Sequence, residues 1–275
     1  MMSSSSGLKL RVAVLQPSLS IVIERLGRLD SIVACTRYCL EAVPALRSRG
    51  VRVIADSWSS TTEEILSASP NLVLASVPYR LESLAAILKS GCPVVTLAPH
   101  SLSDIYDDFR IIGALLHATD LAEAIVEEMQ STVEAVRSQA EQAGTRPLVY
   151  CEEWGKPLIH SQAWVSELVS AAGGSFIGKP GAVTEAQLIA QADPDVLVFA
   201  WCGAGDRVPL ERVIEQRQWQ GLRAVQSGQV YCIPDELLNT PANNLLDGLR
   251  ALASAMHPEI FGKGLSLRTL RAVNA

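Results

Sequence analysis

The sequence predicts an α/β fold: two Rossmann-like lobes with mainly parallel sheets, joined by one long backbone helix, with a ligand cleft between the lobes. Three observations lead there. Short apolar runs alternate with helical patterns in both halves of the 275 residues, as expected for βα units. The halves also echo one another. Thr62-Glu-Glu-Ile-Leu-Ser-Ala-Ser-Pro-Asn-Leu-Val-Leu-Ala and Thr184-Glu-Ala-Gln-Leu-Ile-Ala-Gln-Ala-Asp-Pro-Asp-Val-Leu-Val-Phe-Ala each read as a capped helix, a proline-containing turn and a buried strand. Units of this kind reuse such turns, so the echo alone does not establish a duplication, but two similar α/β lobes follow either way. Finally, no Gly or Pro interrupts Ala114 to Ala143.

Taken in order, strands are expected near 10–15, 31–34, 51–54, 72–76 and 93–97, and again near 147–151, 174–177, 195–200 and 229–233. Thr61 and Glu64 have the spacing of a capping box, and Thr184 with Gln187 repeats the device. Between the two sets, Ala122, Ile125, Val126, Met129, Val133 and Val136 fall on one face at helical spacing. A helix from Thr119 to Gln142 would be about 36 Å long at 1.5 Å per residue. The expected division is an N-terminal lobe over 1–118, a connecting helix over 119–143 and a C-terminal lobe over 144–275. One stiff helix in place of flexible strands implies a cleft that opens by only a small angle.

Composition narrows the function classes. Apolar residues make up 48% and charged residues 19%, enough for real cores and against disorder. The net charge of −6 provides no basic footprint for nucleic acid. No apolar run approaches the roughly 18 residues that cross a bilayer. At the N-terminus, Gln16-Pro17 interrupts Val12-Ala-Val-Leu and no small-residue cleavage site follows, so the start reads as a frayed polar tail and not a signal peptide. A cytoplasmic location is expected. There thiols stay reduced, and clustered cysteines bind metal or do redox chemistry.

Five of the six cysteines sit at or just beyond the predicted strand ends: Cys35, Cys39, Cys151, Cys202 and Cys232. In open α/β sheets that edge is where ligands bind. Each thiol singly is most simply a small buried hydrophobe. Together they suggest soft-metal ligation, either an iron–sulfur cluster or, ranked behind it, a tetrahedral zinc site. The expected quartet is Cys39, Cys151, Cys202 and either Cys35 or Cys232. Cys92, in Gly91-Cys-Pro, should lie at the opposite edge with a structural role. His100 follows the fifth strand, where imidazole would suit a metal. Trp58, Trp154 and Trp201 lie at strand-to-helix turns and could wall a flat ligand, and Glu153 could bind its polar groups. No Gly-x-Ser-x-Gly elbow, P-loop or His-Glu-x-x-His is present, so no catalytic residue is assigned and no enzyme is expected.

Several stretches resemble one family. Leu15-Gln-Pro-Ser-Leu-Ser-Ile-Val-Ile-Glu-Arg-Leu-Gly resembles the opening strand–turn–helix of the helical-backbone (class III) solute-binding proteins, and Glu64-Ile-Leu-Ser-Ala-Ser-Pro-Asn-Leu-Val-Leu resembles their helix–turn–strand segment. Trp164-Val-Ser-Glu-Leu-Val-Ser-Ala-Ala-Gly-Gly and Trp219-Gln-Gly-Leu-Arg-Ala-Val-Gln-Ser-Gly-Gln-Val-Tyr are similar to segments of the second lobe. The likeness spans about Leu10 to Gly262. Cys39, Cys151-Glu-Glu-Trp-Gly-Lys-Pro-Leu and Trp201-Cys-Gly-Ala resemble the cobalamin-binding-protein-like branch without a signal peptide, although Trp201 and Ala204 stand where that branch has Pro and Phe. Cys35 and Cys232 have no counterpart in it. The resemblance implies a non-catalytic binding protein that closes on cobalamin or a related metal chelate. Its partner would be an ABC importer or a metal-handling protein. The alternative is a metalloprotein whose cysteines hold an iron–sulfur cluster or metal ion, with a redox or metal-transfer role.

Overall fold

The computed structural model describes residues 9–56, 59–76, 81–264 and 267–270. Of these, the residues up to Pro99 and from Ser103 to Ile125 form one compact unit, and His100–Leu102 with the residues from Val126 onward form a second.

The first unit is built on β1 (Val12–Val14), α1 (Pro17–Arg25), β2 (Ile32–Thr36), α2 (Arg37–Ala42), β3 (Arg52–Ile54), α3 (Thr62–Leu66), β4 (Leu72–Ser76), α4 (Leu81–Lys89) and β5 (Val94–Leu97). Its five strands are all parallel, in the order β3-β2-β1-β4-β5. Helices cover both faces of such sheets, and accordingly every residue of β1 and β4 is buried. Thr61 caps α3 by accepting from the Glu64 N–H at 3.2 Å. The Glu64 carboxylate does not complete a capping box; it accepts instead from the Ala55 N–H and ties α3 to the end of β3.

Helix α5 (Leu102–Leu115) precedes α6 (Thr119–Ala140), which is followed by a 3₁₀ turn at Glu141–Ala143. The 22 residues of α6 run from the first unit into the second, matching the predicted connecting helix. All six residues of the predicted apolar stripe are buried.

The second unit contains β6 (Leu148–Gly155), β7 (Leu158–His160), α7 (Ala163–Ala171), β8 (Ser175–Phe176), β9 (Val183–Thr184), α8 (Ala186–Ala192), β10 (Val196–Phe199), α9 (Leu210–Gln216), α10 (Arg223–Gln226), β11 (Val230–Cys232), α11 (Leu245–Met256), α12 (Pro258–Phe261) and β12 (Arg268–Thr269). The order is β12-β11-β10-β6-β7-β9, with β8 also paired to β6. Strands β8, β6, β10 and β11 are parallel, whereas β7, β9 and β12 pair antiparallel. The antiparallel members were not anticipated. Strand β6 runs four residues past the predicted end at Cys151 and turns back through Lys156-Pro157 into β7. The second expected capping box also fails: Thr184 belongs to β9, and Glu185 precedes α8 without a side-chain cap. Because β6 connects to β8 on one side and β10 to β11 on the other, the direction of winding reverses between β6 and β10. In open α/β sheets such a reversal leaves a crevice at the carboxyl ends of the two strands.

Candidate functional site

Side chains alternate across β6. Tyr150 and Glu152 therefore share one face, with Phe199 and Cys232 placed there by strand register. Glu152 is fully buried, a position a carboxylate tolerates only when paired and hydrogen-bonded. Four donors meet it. Arg217 forms a fork, Nη1 to Oε2 at 2.7 Å and Nη2 to Oε1 at 2.8 Å. The Trp201 indole N–H donates to Oε1 at 2.8 Å, and the Tyr150 hydroxyl donates to Oε2. The Arg217 guanidinium also lies 4.9 Å from the Trp219 ring centroid, a cation–π contact. Burial, with the Glu152 charge behind it, pushes the Tyr150 hydroxyl well above its ordinary range.

Two members of this network, Trp201 and Arg217, line a cavity of about 500 Å³ at the ends of β6 and β10. Trp154, at the end of β6, and Trp201, just past β10, wall it, and Lys156, Cys202, Arg212 and Arg217 reach it. The Trp154 indole is 44% exposed yet held, donating to the Lys156 carbonyl at 2.9 Å. Gly155 lets the second tryptophan in: a Cβ there would lie 2.4 Å from the Trp201 ring. A partly apolar recess with a few placed polar groups has the composition and size of a small-molecule site.

Beside it, the turn after β10 is tied down by Asp235, which accepts from the Gly203 and Gly205 N–H groups at 2.8 and 2.7 Å. The Cys202 thiol is pushed up to about 12 by its desolvated surroundings and by the Glu153 and Asp235 charges; Asn239 donates to its sulfur at 3.4 Å. Burial raises Glu153 from 4.5 to about 7, against a hydrogen bond from Gln162 that pulls it down. The folded state thus holds a proton that the unfolded chain releases, so this group lowers stability progressively as pH rises from about 4.5 to about 7. The Glu153→Gln variant should therefore gain on wild type between pH 5 and pH 7.5, read as the difference in urea midpoints. An equal difference at both pH values would show that Glu153 does not titrate in this range.

The thiols predicted to share a site are divided between the two units. Cys35 lies inside β2 and Cys39 in the first turn of α2, both buried in the first unit. They touch each other: a hydrogen bond from Cys35, helped by Thr36, lowers Cys39, while the same contact and burial raise Cys35. Cys151, Cys202 and Cys232 belong to the second unit. There Cys151 sits in the middle of β6 and not at its end, and alternation puts it on the sheet face opposite Cys232. Burial raises both of these thiols. Among the described residues no three His, Cys, Asp or Glu side chains are grouped to hold a metal ion. His100 is exposed between β5 and α5. Trp58 lies outside the described residues. Cys92 precedes β5, its thiol directed to the Pro70 carbonyl.

Of the predicted ligand residues, Trp154 and Trp201 line the cavity, whereas the Glu153 carboxylate is turned to Gln162 and does not. Sequence reading missed Arg217, Lys156 and Arg212. One signal was available for Arg217: a carboxylate on the inward face of a strand needs a cation, and Glu152 alternates with the apolar residues of β6.

A model of the periplasmic binding protein family matches residues 12–237. The chain belongs to that family. It is 23% identical over 263 residues to YvrC, an uncharacterized ABC transporter substrate-binding lipoprotein of Bacillus subtilis, covering 91% of this chain and 81% of the relative. It is 24% identical over 261 residues to a vitamin B12-binding protein of Vibrio cholerae, covering 89% and 88%. In fold it is similar to a periplasmic heme binding protein of Pseudomonas aeruginosa, with a TM-score of 0.85 at 19% identity over 98% of this chain and 100% of the other. It is also similar to the periplasmic vitamin B12 binding protein BtuF of V. cholerae, with a TM-score of 0.71 at 22% identity over 90% and 96%. Members of the family are substrate-binding proteins rather than enzymes, and two α/β units linked by a long helix make up the helical-backbone form of the fold.

Proposed function

We propose that this protein binds a metal-containing macrocycle, cobalamin or a related chelate, and passes it to an ABC importer or another metal-handling partner. The observation that carries this reading is the pair of tryptophans, Trp154 and Trp201, walling a cavity at the point where the sheet reverses its winding. Flat apolar rings need flat apolar walls, and aromatic stacking adds about 0.5–1.5 kcal/mol to the area buried. The names of the relatives support the ligand class, since vitamin B12 and heme binders are among them.

Titration with cyanocobalamin and with haem, followed by tryptophan fluorescence and calorimetry, tests it. One of the two should bind one-to-one with a micromolar or tighter Kd, and Trp201→Ala should weaken it about tenfold, a loss of about 1.4 kcal/mol. Absence of saturable binding by either compound at millimolar concentration would overturn the proposal.

A further inference from the structure

We propose that the cavity beside Trp154 and Trp201 selects a ligand carrying negative charge, held by Lys156 and Arg212. This rests on the reading of that cavity as the solute site. Three cationic side chains and no carboxylate line it. Arg217 is already neutralised, its fork closed on the buried Glu152. Lys156 and Arg212 are different: both are exposed, and neither enters an ion pair or side-chain hydrogen bond among the described residues.

Both cations face a partly apolar recess in a chain that carries −6 as a whole. Two uncompensated cations at the mouth of a partly apolar recess attract an anion from solution. Arg212 offers the planar fork that matches a carboxylate, and Lys156 a mobile point charge. The tryptophans recognise a flat apolar body in the same cavity. The complementary ligand is therefore a flat, largely apolar molecule bearing carboxylate, sulfonate or similar groups on its edge, in preference to a neutral ligand of the same shape.

Two fluorescent probes isolate the charge: 8-anilinonaphthalene-1-sulfonate, an anion, and N-phenyl-1-naphthylamine, its neutral analogue. The anion should bind about tenfold more tightly to the native chain, an advantage that shrinks between 50 and 500 mM salt. The double variant Lys156→Gln, Arg212→Gln should abolish the preference and leave binding of the neutral probe unchanged. Both positions are exposed, and circular dichroism checks that the fold is kept. Trp154→Ala should weaken both probes alike, which assigns them to this cavity. Equal affinity of the two probes, or a preference that survives the double variant, would overturn the inference. If the preference holds but neither cobalamin nor haem binds, the macrocycle reading falls and the anion site stands.

Discussion

Replacing Arg217 by methionine is expected to destabilise the protein by about 3–5 kcal/mol, because it strands a buried carboxylate. Glu152 has no solvent to fall back on. Without the guanidinium it keeps only the Tyr150 hydroxyl and the Trp201 indole N–H as donors, and neither carries a compensating charge. For a unit of this size the loss corresponds to a fall in Tm of about 10 °C. Arg110→Met provides the contrast. Its partners Asp107 and Glu123 are exposed, and such pairs contribute about 0–1 kcal/mol. Adding Glu152→Gln to Arg217→Met should recover part of the stability by removing the charge itself, so the two changes must be strongly non-additive. An Arg217→Met variant as stable as Arg110→Met would mean that the buried pair does not form.

Gly155→Ala should be the most damaging single methyl group in the site. The added Cβ would fall 2.4–2.8 Å from three atoms of the Trp201 indole, well inside van der Waals contact. The indole Nε1, bonded to the crowded Cε2, donates to Glu152, so moving the ring away releases that bond. Overpacking of this kind costs about 1–3 kcal/mol. The functional consequence is distinct, since one wall of the cavity and one donor to Glu152 are lost together. Ligand affinity should fall at least as far as in Trp201→Ala, with a red-shifted tryptophan emission as the indole meets water. An unshifted spectrum with native affinity would show that the backbone yields instead of the ring.

The two predictions mark where local pattern stopped being informative. Trp154 and Trp201, which line the cavity, were recognisable from the sequence because each follows an apolar strand, and strand ends are where α/β sheets bind ligands. The cysteines satisfied the same criterion, yet Cys151 lies in the middle of β6 on the face opposite Cys232. Proximity to a strand end says nothing about which face a side chain takes, and a shift of one residue reverses it. Strand β6 continues to Gly155 where the apolar run had suggested an end at Cys151. That extension leaves Cys151 in the core and carries Trp154 to the edge. Arg217 lies 65 residues from Glu152, and no periodicity connects them.

The sequence by itself determined the alternation of strand and helix, the two α/β units and the long α6 between them, because hydrophobic period and the absence of Gly and Pro act over a few neighbouring residues. The tertiary structure alone decided the antiparallel return of β7, the contact of Cys35 with Cys39, and the closure of Arg217 on Glu152 beside Trp201. Those depend on strand register and on which distant segments pack together. A buried charge must find its partner in space, wherever along the chain that partner lies.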